Sequence, residues 1–599
     1  MAYLHLARRG APRETASEAL IGPRVTRWPN ARGDARLACR DASRSLTKAR
    51  GVDGTRRVFA LDMMRGPSHE EHITQEAAAH VAGELLARSH GASLEEVITT
   101  TLYLERLRLR HADGTDRDQA DRAFYARIAD ELRRGDGSTL EQLARAVIDH
   151  YAREIQGHFD PRAYVFATRA LPVLLTALLH GIAPSRMLAR LGHLQNVDDY
   201  VIVGGAIEPL VELARRGTVL VVPTHTSNLD SLVVGYAIYR MGLPPFTYGA
   251  GLNLFSNPVE GFFMRHLGAY TVDRGKSDPV YRQVLKEYAT LSLERGQHGL
   301  FFPGGTRSRS GAIETRLKRG LLGTCLTAFR RALAAGDRHA RFYVVPCTLT
   351  YPLVLEAASL IDDYLDEDGK ARHLLAGDEY DRVDRWFDFV RGLSKLDAPI
   401  HVTIGAALDP LGNDVDERGE SRDPRGRPVD PGRYFLADGV VVEDAARDAS
   451  YTTLLASHVA RAYRRDHVAL PTSVVAFAVF EELRARSPCG ELHRMLREAS
   501  TARVALPMGT VCAAVARVTG ELRALAARGE IGLGPEAAAW DADALVTSAL
   551  RTFATYHPRP VLSRDGDCVV VGDAALLFYY RNRLDGYGLL GAPSLGVAR

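Results

Sequence analysis

Three short apolar runs in the middle of the chain constrain its fold more than any other feature: Val219-Leu-Val-Val222, Gly299-Leu-Phe-Phe302 and Phe342-Tyr-Val-Val345. Each stops at a proline, and stretches of helical period separate them. Runs this short, bounded by turn residues, read as buried strands. Strands alternating with helices give an α/β layer with a largely parallel sheet. A weaker strand-like piece, Gly268–Arg274, falls between the first two runs, and Ser231–Arg240 reads as a helix. In such sheets the active site gathers at the loops beyond the strand ends. Chemistry is expected there.

The first run delivers Thr224-His-Thr-Ser-Asn-Leu-Asp230 into such a loop. A histidine at a strand end, with a carboxylate where a helix begins, supplies a general base and its orienter. The acid on the second ring nitrogen fixes the tautomer and stabilises the imidazolium that forms. Spacing alone selects nothing, because His111/Asp116, His193/Asp198 and His373/Asp378 repeat it. His111 sits in a charged stretch that reads as a solvated helix end, and the other two lie in polar connections with no apolar run before them. Only His225 and Asp230 have the strand-loop-helix setting.

The second run leads into Gly304-Gly-Thr-Arg-Ser-Arg309. Gly304 and Gly305 let backbone amides approach an anion, and Arg307 and Arg309 offer guanidinium forks matched to phosphate oxygens. Lys318 adds a point charge; the chain has six lysines, and Lys276 and Lys318 flank this region. From their places at strand ends, His225, Arg274 and Arg307 are expected to converge.

Other motifs fail on inspection. Gly275-Lys-Ser277 has Tyr270 where a P-loop needs its leading glycine, and Gly249-Ala-Gly251 meets Leu254 where a dinucleotide fingerprint needs its third. There is no Gly-x-Ser-x-Gly nucleophile elbow. The cysteines, at 39, 325, 347, 489, 512 and 568, lack zinc or disulfide spacing and fit a reducing compartment. A net charge of +3 does not point to nucleic acid.

These residues resemble the four blocks of the glycerolipid acyltransferase superfamily, in particular the membrane-associated bacterial glycerol-3-phosphate acyltransferases. His225–Asp230 resembles the first, His-x4-Asp, block; Gly268–Arg274 the second; Phe302-Pro-Gly-Gly-Thr-Arg-Ser308 the third; and Val345–Tyr351 the fourth. Leu577-Phe-Tyr-Tyr-Arg-Asn582 is similar to a Tyr-Arg-Asn segment of the bacterial enzymes. Two departures stand out. Gly304 occupies the place of the third block's usual glutamate, and Asp273-Arg274 replaces an Arg-Arg pair, a form more like the lysophosphatidate acyltransferases.

The resemblance implies an acyl transfer from acyl-CoA or acyl carrier protein to glycerol 3-phosphate, giving lysophosphatidate in phospholipid biosynthesis. His225 and Asp230 would be catalytic, and backbone amides near the start of the helix after Asp230 would receive the oxyanion. Arg274, Gly304, Gly305, Thr306, Arg307, Ser308, Arg309 and Lys318 would hold the acceptor. Neither metal nor cofactor is needed, because a thioester is already activated. Lysophosphatidate as acceptor, or a catalytically silent lipid-binding scaffold, are the rival readings.

The remaining sequence divides into regions. Residues 1–55 read as disordered, 56–190 as helical, 191–410 as the acyltransferase domain, 411–449 as a loop or insertion and 450–599 as mostly helical. Tyr164–Ile182 is apolar but interrupted by Arg169 and Pro172, so it suits a core helix or one lying on a bilayer better than a span. Phe255, Phe262, Phe263 and Met264 form a cluster that either lines an acyl groove or packs a core. The expected location is the cytoplasmic face of the cell membrane, with peripheral or monotopic attachment to its lipid surface.

Overall fold

A computed structural model describes residues 66–112, 114–135, 139–160, 200–252, 268–367, 399–487, 491–557, 559–592 and 594–595. The expectations for residues 1–55, for Tyr164–Ile182, for Phe255, Phe262, Phe263 and Met264, and for the pairs at His193 and His373 lie outside the described residues.

Four helices come first: α1 (Gly66–Arg88), α2 (Ala92–Arg110), α3 (Asp116–Arg134) and α4 (Leu140–Ile155). Thr115 and Asp118 form a capping box at the start of α3, and Thr139 and Gln142 another at α4, satisfying amides that a helix start leaves open. The α/β layer follows: β1 (Val201–Gly205), α5 (Ile207–Arg216), β2 (Thr218–Pro223), α6 (Asp230–Arg240), β3 (Thr247–Gly251), β4 (Ala269–Val272), α7 (Pro279–Glu294), β5 (Gly299–Leu300), α8 (Arg319–Ala334), β6 (Phe342–Thr350), α9 (Ala357–Glu367) and β7 (Ile400–Ile404). The sheet order is β1-β7-β6-β2-β5-β3-β4. Every pairing is parallel except β6 with β7. The fold is thus α/β with a largely parallel sheet flanked by helices, as the apolar runs imply.

Side chains alternate along β2 and bury both of its faces. Val219 and Val221 join a core shared with the carboxyl-terminal helices, while Leu220 and Val222 face α8 and the helix Ala445–Asp466. This two-sided burial is why the run is continuously apolar instead of alternating. One expectation changes. Pro346 does not end its strand, because β6 runs nine residues to Thr350. Its edge partner changes there from Leu408 to β7, and the Pro346 carbonyl accepts the Gly405 amide at 2.8 Å. A residue without an N–H is tolerated where the ladder is interrupted.

The amino-terminal helices pack on α7, with Ile73, Val81, Ile98, Tyr151, Val284 and Tyr288 in one buried cluster. Beyond the sheet, helices Pro471–Arg486, Met508–Ala527, Ala542–Phe553 and Ala574–Arg581 cover the face that carries Val219 and Val221. No helix among the described residues is long and apolar enough to cross a membrane.

Candidate active site

The loop from Thr224 to Leu229 connects β2 to α6 at the carboxyl end of the sheet. His225 Nδ1 lies 2.9 Å from Asp230 Oδ2. The same oxygen accepts the amides of Thr226 at 2.6 Å and Ser227 at 3.0 Å, while Tyr351 donates its hydroxyl to Oδ1 at 2.6 Å. Asp230 is fully buried, so these donors replace its water. The arrangement gives His225 one orientation, stacked on Phe302 with ring centroids 4.4 Å apart. Nδ1 faces the acid, and no described residue bonds Nε2.

Burial holds the imidazole below the ordinary histidine range; Arg274 and Arg307 push the same way, against the pull of Asp230. A neutral imidazole is the form able to accept a proton. The two arginines also repel each other, and burial together with Arg307 lowers the pKa of Arg274. The Arg274 guanidinium lies 3.7 Å from where a Cβ on Gly251 would sit, and no described carboxylate is within ion-pair distance of it. Two cations beside the base, one without a counter-charge among the described residues, make a place suited to an anion.

Each residue of the glycine-rich loop has a definite position. Arg307 lies 3.3 Å from Glu356, a fully buried carboxylate that also accepts from the Ser227 hydroxyl and the Asn228 amide. The Ser308 amide donates to the His225 carbonyl at 2.9 Å, tying this loop to the one after β2, and its hydroxyl donates to the Ala312 carbonyl. Arg309 pairs with Asp363 of α9 at 3.0 Å. Thr306 is exposed, and so is Lys318, whose aliphatic chain lies against Gly305. Gly304 is crowded by a carboxylate, considered below.

The amides of Thr226, Ser227 and Asn228 all point at carboxylates. One expectation needs amending. Lys276, which the sequence set beside the glycine-rich loop, is fully buried between the sheet and the amino-terminal helices. Its Nζ is 2.7 Å from Glu154, 3.5 Å from Glu105 and 3.8 Å from Asp121, with the Tyr151 ring at 4.8 Å. Asp121, His150 and Glu154 bring ligand atoms within 4.8 Å of one another, and Lys276, Arg108 and Arg117 are the cations among them. Asp273 joins this network through Arg108 and Arg117.

The helix Ala574–Arg581 and the turn after it pack against the site. Asn582 donates to the Ser310 carbonyl at 2.9 Å, and Arg583 lies 3.5 Å from the Thr226 hydroxyl. Gly311, at φ 81°, lies under the backbone of Tyr579, where a Cβ would be 2.2 Å from the Tyr579 carbonyl oxygen. Sequence reasoning missed Glu314, Tyr351, Glu356 and Arg583 as site residues. Tyr351 ended a quoted block and Arg583 adjoined one, but no spacing signal marked Glu314 or Glu356.

The Acyltransferase family model matches residues 207–350. A glycerol-3-phosphate acyltransferase of Aeromonas hydrophila is 32% identical over 289 residues, covering 48% of this chain and 32% of that protein. One from Pseudomonas aeruginosa PAO1 is 27% identical over 224 residues, covering 37% and 24%. The matches span a third or less of these relatives' own length. Among solved structures, the 1-acyl-sn-glycerophosphate acyltransferase of Thermotoga maritima matches at 15% identity and a TM-score of 0.23, covering 42% of this chain and 90% of that one.

Proposed function

We propose that this chain, whose residues 207–350 are an acyltransferase domain of the glycerolipid acyltransferase superfamily, transfers a fatty acyl group from a thioester to the hydroxyl of glycerol 3-phosphate. The observation that carries the reading is the buried His225–Asp230 pair, its Nε2 bonded by no described residue, set beside Arg274 and Arg307. The pair supplies a base, and the arginines supply a counter-charge for a phosphate.

In the proposed reaction, His225 Nε2 takes the proton from the acceptor hydroxyl as its oxygen attacks the thioester carbonyl. The tetrahedral adduct collapses, the carbon–sulfur bond breaks, and the imidazolium returns its proton to the departing thiolate. Asp230 offsets the imidazolium charge. General-base help of this kind contributes about 10²–10⁴-fold. The donor is acyl-CoA or acyl carrier protein, and the product is lysophosphatidate. Work at the cytoplasmic face of a membrane, with peripheral or monotopic attachment, suits a soluble acceptor and a lipid product.

Asp273 was the sequence's argument for lysophosphatidate as acceptor. Its carboxylate lies with Arg108 and Arg117 of the amino-terminal helices, so its identity answers to that network. The test is thioester-dependent acylation by purified protein, offered glycerol 3-phosphate and lysophosphatidate in parallel, with His225→Ala as blank. Product from glycerol 3-phosphate supports the reading; product only from lysophosphatidate replaces it with the second acylation. Silence with both acceptors, from folded protein in lipid, favours the non-catalytic scaffold.

A further inference from the structure

Gly304 and Glu314 compete for one place. A Cβ on Gly304 would lie 2.5 Å from Glu314 Oε1 and 2.9 Å from its Cδ, far inside contact distance. Gly304 does not have a positive φ, so its backbone would accept a side chain; what excludes one is the carboxyl of Glu314. That carboxyl is buried, and Oε1 accepts the backbone amide of His225 at 2.9 Å. Among the described residues, Oε2 has no hydrogen-bond partner, and neither has Thr348 Oγ1 or His467 Nε2. All three residues line one cavity of about 10 Å³, together with His225 and Arg583. A polar cavity of that size holds about one water.

We propose that Glu314 is a positioning residue for the base: it supplies, from ten residues downstream, the carboxyl group for which position 304 has no side chain. Its grip on the His225 amide fixes where β2 ends and where the imidazole begins. Burial pushes this carboxyl up to about 8, with the nearby Asp230 charge adding and the His225 amide and Arg583 opposing. A group that takes up a proton so readily keeps a carbonyl oxygen for the amide and gains a donor for the cavity. It therefore avoids a second buried negative charge beside Asp230. Oε1 acts on the amide in either protonation state.

The kinetic readout rests on the acyl-transfer reading; the stability readout does not. The test is a cycle of Gly304→Glu, Glu314→Ala and the double variant, with Glu314→Gln alongside. Gly304→Glu alone forces two carboxyls into one space, and Glu314→Ala alone removes the amide's acceptor. Each is expected to lower kcat by about tenfold or more, with the acceptor KM within about twofold, since a lost buried partner costs on that scale. The double variant restores a carboxyl to the shared place. It should fold more stably than the single variants predict by at least about tenfold in equilibrium constant, a normal coupling for contacting residues. Its kcat should recover to within several-fold of the parent. Glu314→Gln keeps the acceptor oxygen and should stay near the parent in kcat. Additive effects in both stability and kcat, or full activity in Glu314→Ala, would overturn the proposal. If the parent itself acylates neither acceptor, the functional reading falls and the stability cycle alone decides this one.

Discussion

Tyr351→Phe isolates the link between Asp230 and the base. The substitution removes one atom, the hydroxyl oxygen 2.6 Å from Asp230 Oδ1, and leaves a fully buried carboxylate oxygen without that donor. Burial and the Asp230 charge push the Tyr351 hydroxyl well above the ordinary tyrosine range, so it donates throughout the working pH range. A hydrogen bond to a charged group contributes about 1.5–3 kcal/mol. Without it, the Asp230 charge is less stabilised and binds the His225 imidazolium more strongly. If a third to a half of that energy passes to the ring, the His225 pKa rises by about 0.5–1 unit, at 1.36 kcal/mol per unit. The acid limb of kcat/KM, which reports the free enzyme's base, should therefore move to higher pH by that amount. The assay is a pH series of acyl transfer for both proteins, with a denaturant melt to register about 1.5–3 kcal/mol of lost stability. An acid limb that stays put or moves down would show that Asp230 does not set the basicity of His225.

His225→Ala should lower kcat by about 10²–10⁴-fold, with a loss of stability of about 1.5–3 kcal/mol that leaves the protein folded, since Asp230 keeps its amide and Tyr351 donors; near-normal turnover would refute the base. Arg307→Ala should raise the acceptor KM about tenfold or more, at about 1.5–3 kcal/mol per charged bond, and leave the donor KM nearly unchanged; equal effects on both would remove its phosphate role. Lys276→Met should destabilise the packing of the amino-terminal helices by about 1–3 kcal/mol, because Glu154 and Glu105 lose a buried partner while keeping Arg117 and Arg108, and limited proteolysis should then cut these helices first. Burial holds His298, His401 and His557 at about 4. Their unfolded counterparts take up protons near 6.5, so stability is intact above that pH. It should fall as the pH drops toward 4, by about 1.4 kcal/mol per unit for each. Melts at pH 7 and pH 5 that coincide would contradict their burial in the neutral form.

The parts of the molecule legible in the sequence are those whose signals are local. Val219–Val222 announces a strand buried on both faces, and His225 and Asp230 sit five positions apart across one turn, so a single window contains the pair and its setting. The bracing groups are different in kind. Glu314 reaches His225 across 89 positions, Tyr351 reaches Asp230 across 121, and Arg583 reaches Thr226 across 357. No periodicity links such residues; the sheet order brings them together. Lys276 was misread for a related reason. Its nearness to the glycine-rich loop in sequence concealed that the turn after β4 faces the amino-terminal helices, where carboxylates from α2, α3 and α4 await it. Pro346 was misread because a proline ends a strand only where its missing N–H is needed.

The closure of the glycine-rich loop by Tyr579, Asn582 and Arg583 bears on the order of synthesis. A chain leaving the ribosome exposes His225, Asp230 and Arg307 long before residue 579 is translated. During that interval the loop lacks the backbone that seats on Gly311 and the amide that holds Ser310. The final shape of the site is thus deferred until residue 583 has emerged, and fragments released before residue 579 carry His225, Asp230 and Arg307 without the contacts that seat the loop beside them.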